Sequence, residues 1–211
     1  MHEPLDVLRA NVAASIVAKQ RLLVDGEALE AFRRAVDTVV ERYRAGGRLY
    51  IAGNGGSAAD AQHLAAEFVS RLARERAPMP AESLTTDSSI LTAIGNDYGF
   101  DRVFERQLAA KATRRDVFLG ITTSGASPNI LRALEHCRAA GVPGIVFTGR
   151  GGGAARALAD HCIAVPGTAT STIQELHIVL AHTLCECVEA ALFPDPVESP
   201  ERSATCPTTS S

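Results

Sequence analysis

The stretch Arg48-Leu49-Tyr50-Ile51-Ala52-Gly53-Asn54-Gly55-Gly56-Ser57-Ala58-Ala59-Asp60-Ala61-Gln62-His63-Leu64-Ala65-Ala66-Glu67 decides how this chain is read. Its opening residues form a short, apolar, β-prone run, as a buried strand requires. Gly53 to Ser57 interrupts that run, and a segment rich in good helix formers follows. Strand, glycine turn and helix in that order aim backbone N–H groups and the positive end of a helix dipole at one spot, where an anion can sit. Residues four apart share a helix face, so His63 and Glu67 project together into the same cleft.

Outward from this stretch the pattern is regular. Two amphipathic helices are predicted upstream, over about 5–24 and 28–44. In the second, Phe32, Val36, Val39, Val40 and Tyr43 recur at helical spacing, and Gly46-Gly47 ends it. Downstream, β-rich segments at 49–52, 117–121, 144–148 and 162–165, with a weaker one at 81–84, alternate with stretches expected to be helical. Such alternation predicts an α/β fold of parallel β-α-β units. A last helix is expected over 171–192, with Thr172 and Glu175 read as a capping box and Phe193-Pro194 as its stop. The expected layout is N-terminal helices over 1–46 that pack in an oligomer, a ligand-binding domain over 47–193 forming one unit with them, and a disordered tail rich in Pro, Ser and Thr over 194–211.

A second anion cradle follows the strand at 117–121. Thr122-Thr123-Ser124-Gly125-Ala126-Ser127-Pro128 places hydroxyls beside a helix start, with Ser127 read as N-cap and Pro128 at the first helical position. Hydroxyls there can hold phosphate oxygens without a cation. Both cradles follow parallel strands, so both are expected at the carboxyl edge of one sheet, where α/β folds bind ligands. Neither a Walker lysine nor a dinucleotide fingerprint is present, which favours a phosphosugar over a nucleotide.

Composition narrows the classes further. The 211 residues carry a formal net charge of −3, against the basic excess of a dedicated nucleic-acid binder. The local arginine cluster at 71–76 reads as a solvated helix end. No apolar run reaches the ~18 residues that span a bilayer, and Met1-His2-Glu3-Pro4 lacks signal-peptide character, so a cytoplasmic protein without membrane or nucleic-acid partners is expected. The five cysteines show no paired metal spacing and read as reduced, structural thiols.

Five motifs in register then carry a resemblance: Gly53-Asn54-Gly55-Gly56-Ser57, Asp60-Ala61-Gln62-His63, Gly95-Asn96-Asp97-Tyr98-Gly99-Phe100, Thr122 to Ser127, and Ile173-Gln174-Glu175-Leu176-His177. Over about residues 5–193 the chain resembles the phosphoheptose isomerases of the sugar-isomerase (SIS) domain family. The resemblance implies a three-layer αβα sandwich around a five-stranded parallel sheet, and a homotetramer with active sites at subunit interfaces. It implies conversion of sedoheptulose 7-phosphate to D-glycero-D-manno-heptose 7-phosphate. Its catalytic pair falls on Glu67 and His182. Its substrate contacts fall on Asn54, Gly55, Gly56, Glu67, Asn96, Asp97, Gln174 and the hydroxyls of Thr122, Thr123, Ser124 and Ser127. A zinc ion, one per subunit, would use His63, Glu67, Gln174 and His182. The chain departs from many members in having Ser171-Thr172 where they carry an Asp-Arg pair.

The chemistry suits these residue types. Moving a carbonyl between C2 and C1 takes a proton from C1 and returns one to C2, work for a carboxylate and an imidazole. Gln174 and His182 lie about 12 Å apart along one helix, so the expectation is that they come to one site from different subunits or meet opposite ends of the ligand. His177 is expected to be structural. Two other readings stand beside the heptose isomerase: a non-catalytic SIS scaffold that binds the replication initiator, and an isomerase of another phosphosugar.

Overall fold

The computed structural model describes residues 3–194. The tail expected from 194 lies, from 195 onward, outside them. Elements follow in the order α1 (Pro4–Leu22), α2 (Gly26–Arg44), β1 (Leu49–Gly53), α3 (Gly56–Val69), β2 (Ala81–Ser83), α4 (Ser88–Tyr98), α5 (Glu105–Lys111), β3 (Val117–Thr122), α6 (Pro128–Ala140), β4 (Gly144–Thr148), β5 (His161–Ala164) and α7 (Thr170–Leu192). All five strands are parallel, in the order β2-β1-β3-β4-β5.

The sheet alternates its side chains between two cores, as a pleat with period two requires. Leu49, Ile51, Leu119, Ile121, Ile145, Phe147 and Ile163 face one way and pack under α2, α3 and α7. Tyr50, Ala52, Phe118 and Val146 face the other way, against residues of α5 and α6. The result is a three-layer αβα sandwich with further helix at its N-terminus.

Helix α2 stops where its glycines allow. Gly46 takes φ +76°, and Gly47 N–H reaches back to the Arg42 carbonyl at 2.9 Å, the bond of a Schellman turn. Three local expectations are corrected. The capping box at Thr172 and Glu175 is absent: Ala169 occupies the N-cap of α7 without a side-chain bond, Thr172 is buried, and the Glu175 carboxylate accepts from Ser15 on α1. The β4–β5 connection is not a regular helix, because Gly151, Gly152 and Gly153 turn it at φ +75°, +96° and +53°. The arginine cluster is not wholly solvated either, since the Arg76 side chain is fully buried against Glu189.

Candidate active site

The sheet reverses direction of growth between β1 and β3: β2 adds outside β1, whereas β4 and β5 add beyond β3. The crevice at such a switch point, at the carboxyl ends of the strands, is the ligand site of open α/β sheets. Both glycine- and hydroxyl-rich loops stand there, one after each strand.

In the first loop Gly53 permits a close return of the chain. A methyl group on it would lie 2.3 Å from the Ser57 carbonyl oxygen. Gly55 follows at φ +57°, a conformation disfavoured for other residues. The amides of Ser57, Ala58 and Ala59 are already bonded to the carbonyls of Asn54 and Gly55. Fewer amides of this loop are therefore free to meet a ligand than the sequence implies. The Gln174 side chain closes over Gly56, its amide nitrogen 2.4 Å from where a β-carbon would stand.

In the second loop Ser127 does occupy the N-cap of α6, with Pro128 next, but its hydroxyl does not cap. It pairs with the Thr122 hydroxyl at 3.0 Å, while Ser124 accepts from the Ala126 amide at 3.2 Å. Pro128 has no N–H and the amides of Ile130 and Leu131 bond the Ser127 carbonyl, which leaves the Asn129 amide as the donor of this first turn. Gly125, at φ +65°, is braced by the glycine turn after β4, with Ala155 N–H donating to its carbonyl at 2.9 Å.

Asn129, which the sequence reading passed over, ties the two loops together. Its side-chain amide and that of Asn54 bond reciprocally, at 2.9 and 2.8 Å. Asn129 is buried, so this pair is both shielded and fully matched. With Phe100, Asp101, Ser127 and Pro128, the two asparagines line an open cavity of about 330 Å³. The signal was available: a second amide one residue past the helix-starting proline. Nothing local says what it meets.

His63 and Glu67 share a face of α3 as their spacing requires, with Nε2 to Oε1 at 3.2 Å. Helix α7 lies alongside and brings His182 in, its Nε2 at 3.1 Å from that of His63. The three residues offer ligand atoms that all lie within 4.8 Å of one another. Glu67 and His182 thus come together within one chain. Gln174 stands two turns earlier on α7, at the Gly56 end of α3. Asn96 and Asp97 sit on the exposed last turn of α4 and hydrogen-bond each other at 2.8 Å. Asp60, one turn before His63, has a buried carboxylate oxygen without a partner, and burial raises its pKa. His177 is fully enclosed, and burial lowers its pKa to about 4. It takes no part in the cluster.

Two imidazoles and a carboxylate are donors suited to zinc. Ligand atoms of a tetrahedral zinc site lie about 3.3 Å apart, from metal–ligand distances near 2.05 Å. The separations of 3.1 and 3.2 Å about His63 match that span, and that between His182 and Glu67 is within 4.8 Å.

Fold and site together define a sugar-phosphate-binding class, and a family model described as SIS domain matches residues 14–149. The phosphoheptose isomerase of Aneurinibacillus thermoaerophilus is 47% identical over 188 residues, 89% of this chain and 95% of the relative. That of Pelobacter propionicus is 56% identical over 155 residues, 74% of this chain and 82% of the relative. The solved phosphoheptose isomerase of Neisseria gonorrhoeae superposes with a TM-score of 0.83 at 39% identity, covering 89% of this chain and all of that one. The chain belongs to the phosphoheptose isomerases of the SIS-domain family, and it is an isomerase.

Proposed function

We propose that the chain interconverts sedoheptulose 7-phosphate and D-glycero-D-manno-heptose 7-phosphate through an enediol intermediate. The observation that carries this reading is the convergence of Glu67 and His182 on one point beside the switch-point crevice. The sugar phosphate lies across that crevice. Its phosphate is held by the hydroxyls of Thr122, Thr123, Ser124 and Ser127 and the start of α6, where the helix dipole favours negative charge. Asn54, Gly55, Gly56 and Gln174 face the sugar, and Asn96 and Asp97 contribute from α4.

Glu67 takes the proton from C1 of the ketose, and the C1–C2 enediol forms as the C2 carbonyl becomes a hydroxyl. His182 moves the proton between the two hydroxyl oxygens, and protonation at C2 completes the aldose. Atoms and charge balance without any redox partner. His63, Glu67 and His182 are the residues that would hold a zinc ion, joined by Gln174 only from a second copy of the chain, since on α7 Gln174 stands two turns from His182. Such an ion supplies Lewis-acid stabilisation of negative charge on the enediol oxygens. Fixed amides near the glycine loop offer the same kind of stabilisation by hydrogen bonding.

Assembly belongs to this reading. Helix α1 leaves Leu5, Leu8, Val12 and Ile16 about half exposed along one side. An apolar groove of about 380 Å³ opens between α1, α2 and α7, lined by Leu22, Leu23, Leu29, Phe32 and Val179 among others. Patches of this kind mark association surfaces, and the occupant proposed is a second copy of the chain in a homotetramer with interfacial sites.

Incubation with sedoheptulose 7-phosphate, followed by NMR identification of the product, tests the reaction. Turnover by the wild type and its loss in Glu67→Gln would support it. No turnover by the wild type, with or without added zinc, would defeat it.

A further inference from the structure

Glu67 sits in the last turn of α3, two residues before the helix end at Val69. The last carbonyls of a helix have no intrahelical donor, and such a turn frays unless something else bonds them. Here Arg76 does so. Its guanidinium donates to the carbonyl of Glu67 itself at 2.8 Å, to that of Phe68 at 2.7 Å and to that of Ser70 at 3.2 Å.

Arg76 is held in turn by Glu189 on α7. The carboxylate accepts from Arg76 Nε at 2.9 Å and Nη2 at 2.8 Å, and from the amides of Leu72 and Ala73 at 3.1 and 3.2 Å. Both side chains are 0% exposed. Burial alone would raise the Glu189 pKa, but the two amides and the guanidinium more than offset this and lower it. Glu189 lies seven residues past His182, two turns on along the same face of α7. One buried ion pair therefore joins the end of the helix that carries Glu67 to the helix that carries His182.

We propose that Arg76, locked by Glu189, is a positioning residue that sets the Glu67 carboxylate against His182; this rests on the reading of Glu67 and His182 as the proton-transfer pair. A pair serving stability alone could bond any carbonyls at the helix end. This one grips the backbone of the base itself and anchors to its partner's helix. A displacement of about 1 Å at reacting groups can cost about a hundredfold in rate.

The test compares wild type, Arg76→Met combined with Glu189→Leu, Arg76→Lys and Leu108→Ala, with Glu67→Gln as reference. Apolar replacement of both partners of a buried pair commonly preserves folding, so the double variant should fold. Its kcat is expected to fall about thirtyfold or more while KM stays within about threefold. Arg76→Lys keeps the charge but not the planar fork that reaches several carbonyls. Its kcat is expected to fall about tenfold, and it decides the matter should the double variant not fold. Leu108→Ala, buried on the far side of the sheet, controls for lost stability: a lower Tm with kcat unchanged is expected. Wild-type kcat in a folded double variant or in Arg76→Lys would overturn the positioning role. So would an equal kcat loss in Leu108→Ala at matched Tm. If instead Glu67→Gln turns over like wild type, the proton-transfer reading fails and the positioning role with it. Loss in Glu67→Gln with wild-type kcat in the Arg76 variants would sink the positioning role alone.

Discussion

His63 and His182 face each other through their Nε2 atoms at 3.1 Å, although 119 residues of chain separate them. Unless a proton lies between them, two nitrogen lone pairs converge on the point that Glu67 also faces. A divalent cation of borderline character, such as zinc, would satisfy all three groups at once. Zinc titration of the metal-free protein by calorimetry is expected to show one tight site per chain. His63→Ala and His182→Ala should each weaken it by about a hundredfold or more, as loss of a direct ligand costs at least what loss of a supporting residue does. Unchanged zinc affinity in both variants would remove the ion from the site.

The reciprocal amides of Asn54 and Asn129 fix the loop after β1 to the start of α6. Asn129→Ala takes both hydrogen-bond partners from the half-buried Asn54 side chain, at a cost of about 1–3 kcal/mol in stability. Because the loop is then free to shift, kcat/KM for the sugar phosphate should fall about tenfold or more, mostly through KM. Steady-state kinetics beside thermal melts would show it. A variant with full stability and unchanged KM would mean that the pair does not organise the site.

Gly125 tolerates no side chain. A methyl group there would stand 2.1 Å from the Gly152 carbonyl oxygen, and the backbone φ of +65° adds strain for any other residue. Gly125→Ala is expected to cost on the order of 3 kcal/mol, read from chemical denaturation. It should also abolish phosphate binding, since the loop must move to relieve the clash.

His177 makes stability depend on pH. Burial holds its folded-state pKa at about 4, below the ordinary 6.5. Between those values the unfolded chain binds the proton and the folded one does not, so stability rises with pH there. The contribution is fully present above about pH 6.5 and is lost as pH falls towards about 4, for a total of roughly 3 kcal/mol. Denaturation curves of His177→Leu across this window should be flatter than those of wild type by about that amount. Parallel curves would show that His177 is not the titrating group.

The apolar side of α1 offers a direct handle on assembly. Leu8→Glu combined with Ile16→Glu places two charges on a half-exposed apolar stripe. Sedimentation should then report smaller species than wild type, with isomerase activity falling alongside. A monomer that keeps full activity would end the proposal of interfacial active sites.

Much of this was legible in the residues because it is local. Strand, glycine turn and helix follow from neighbours in sequence, and the 3.2 Å approach of His63 to Glu67 follows from the rise and pitch of one helix. β1, β3 and β4 were readable for the same reason, since buried parallel strands are continuous apolar runs, whereas the half-buried edge strand β2, Ala81-Glu82-Ser83, left only a weak signal. Where local rules compete, tertiary packing overruled them. Ser127 turned from its cap to Thr122, and Glu175 turned from α7 to Ser15 of α1, because a better partner was present in space.

The sequence by itself determined the α/β architecture, the two loops after β1 and β3 and the residue types at the site. Only the tertiary structure decided that His182 meets His63 and Glu67 within one chain, that Asn129 bridges the loops, and that Arg76 and Glu189 are buried together. Periodicity tells which side of a helix turns inward. It does not tell which other helix lies there or which charge finds its counterpart, and these depend on how α3 and α7 pack over the sheet.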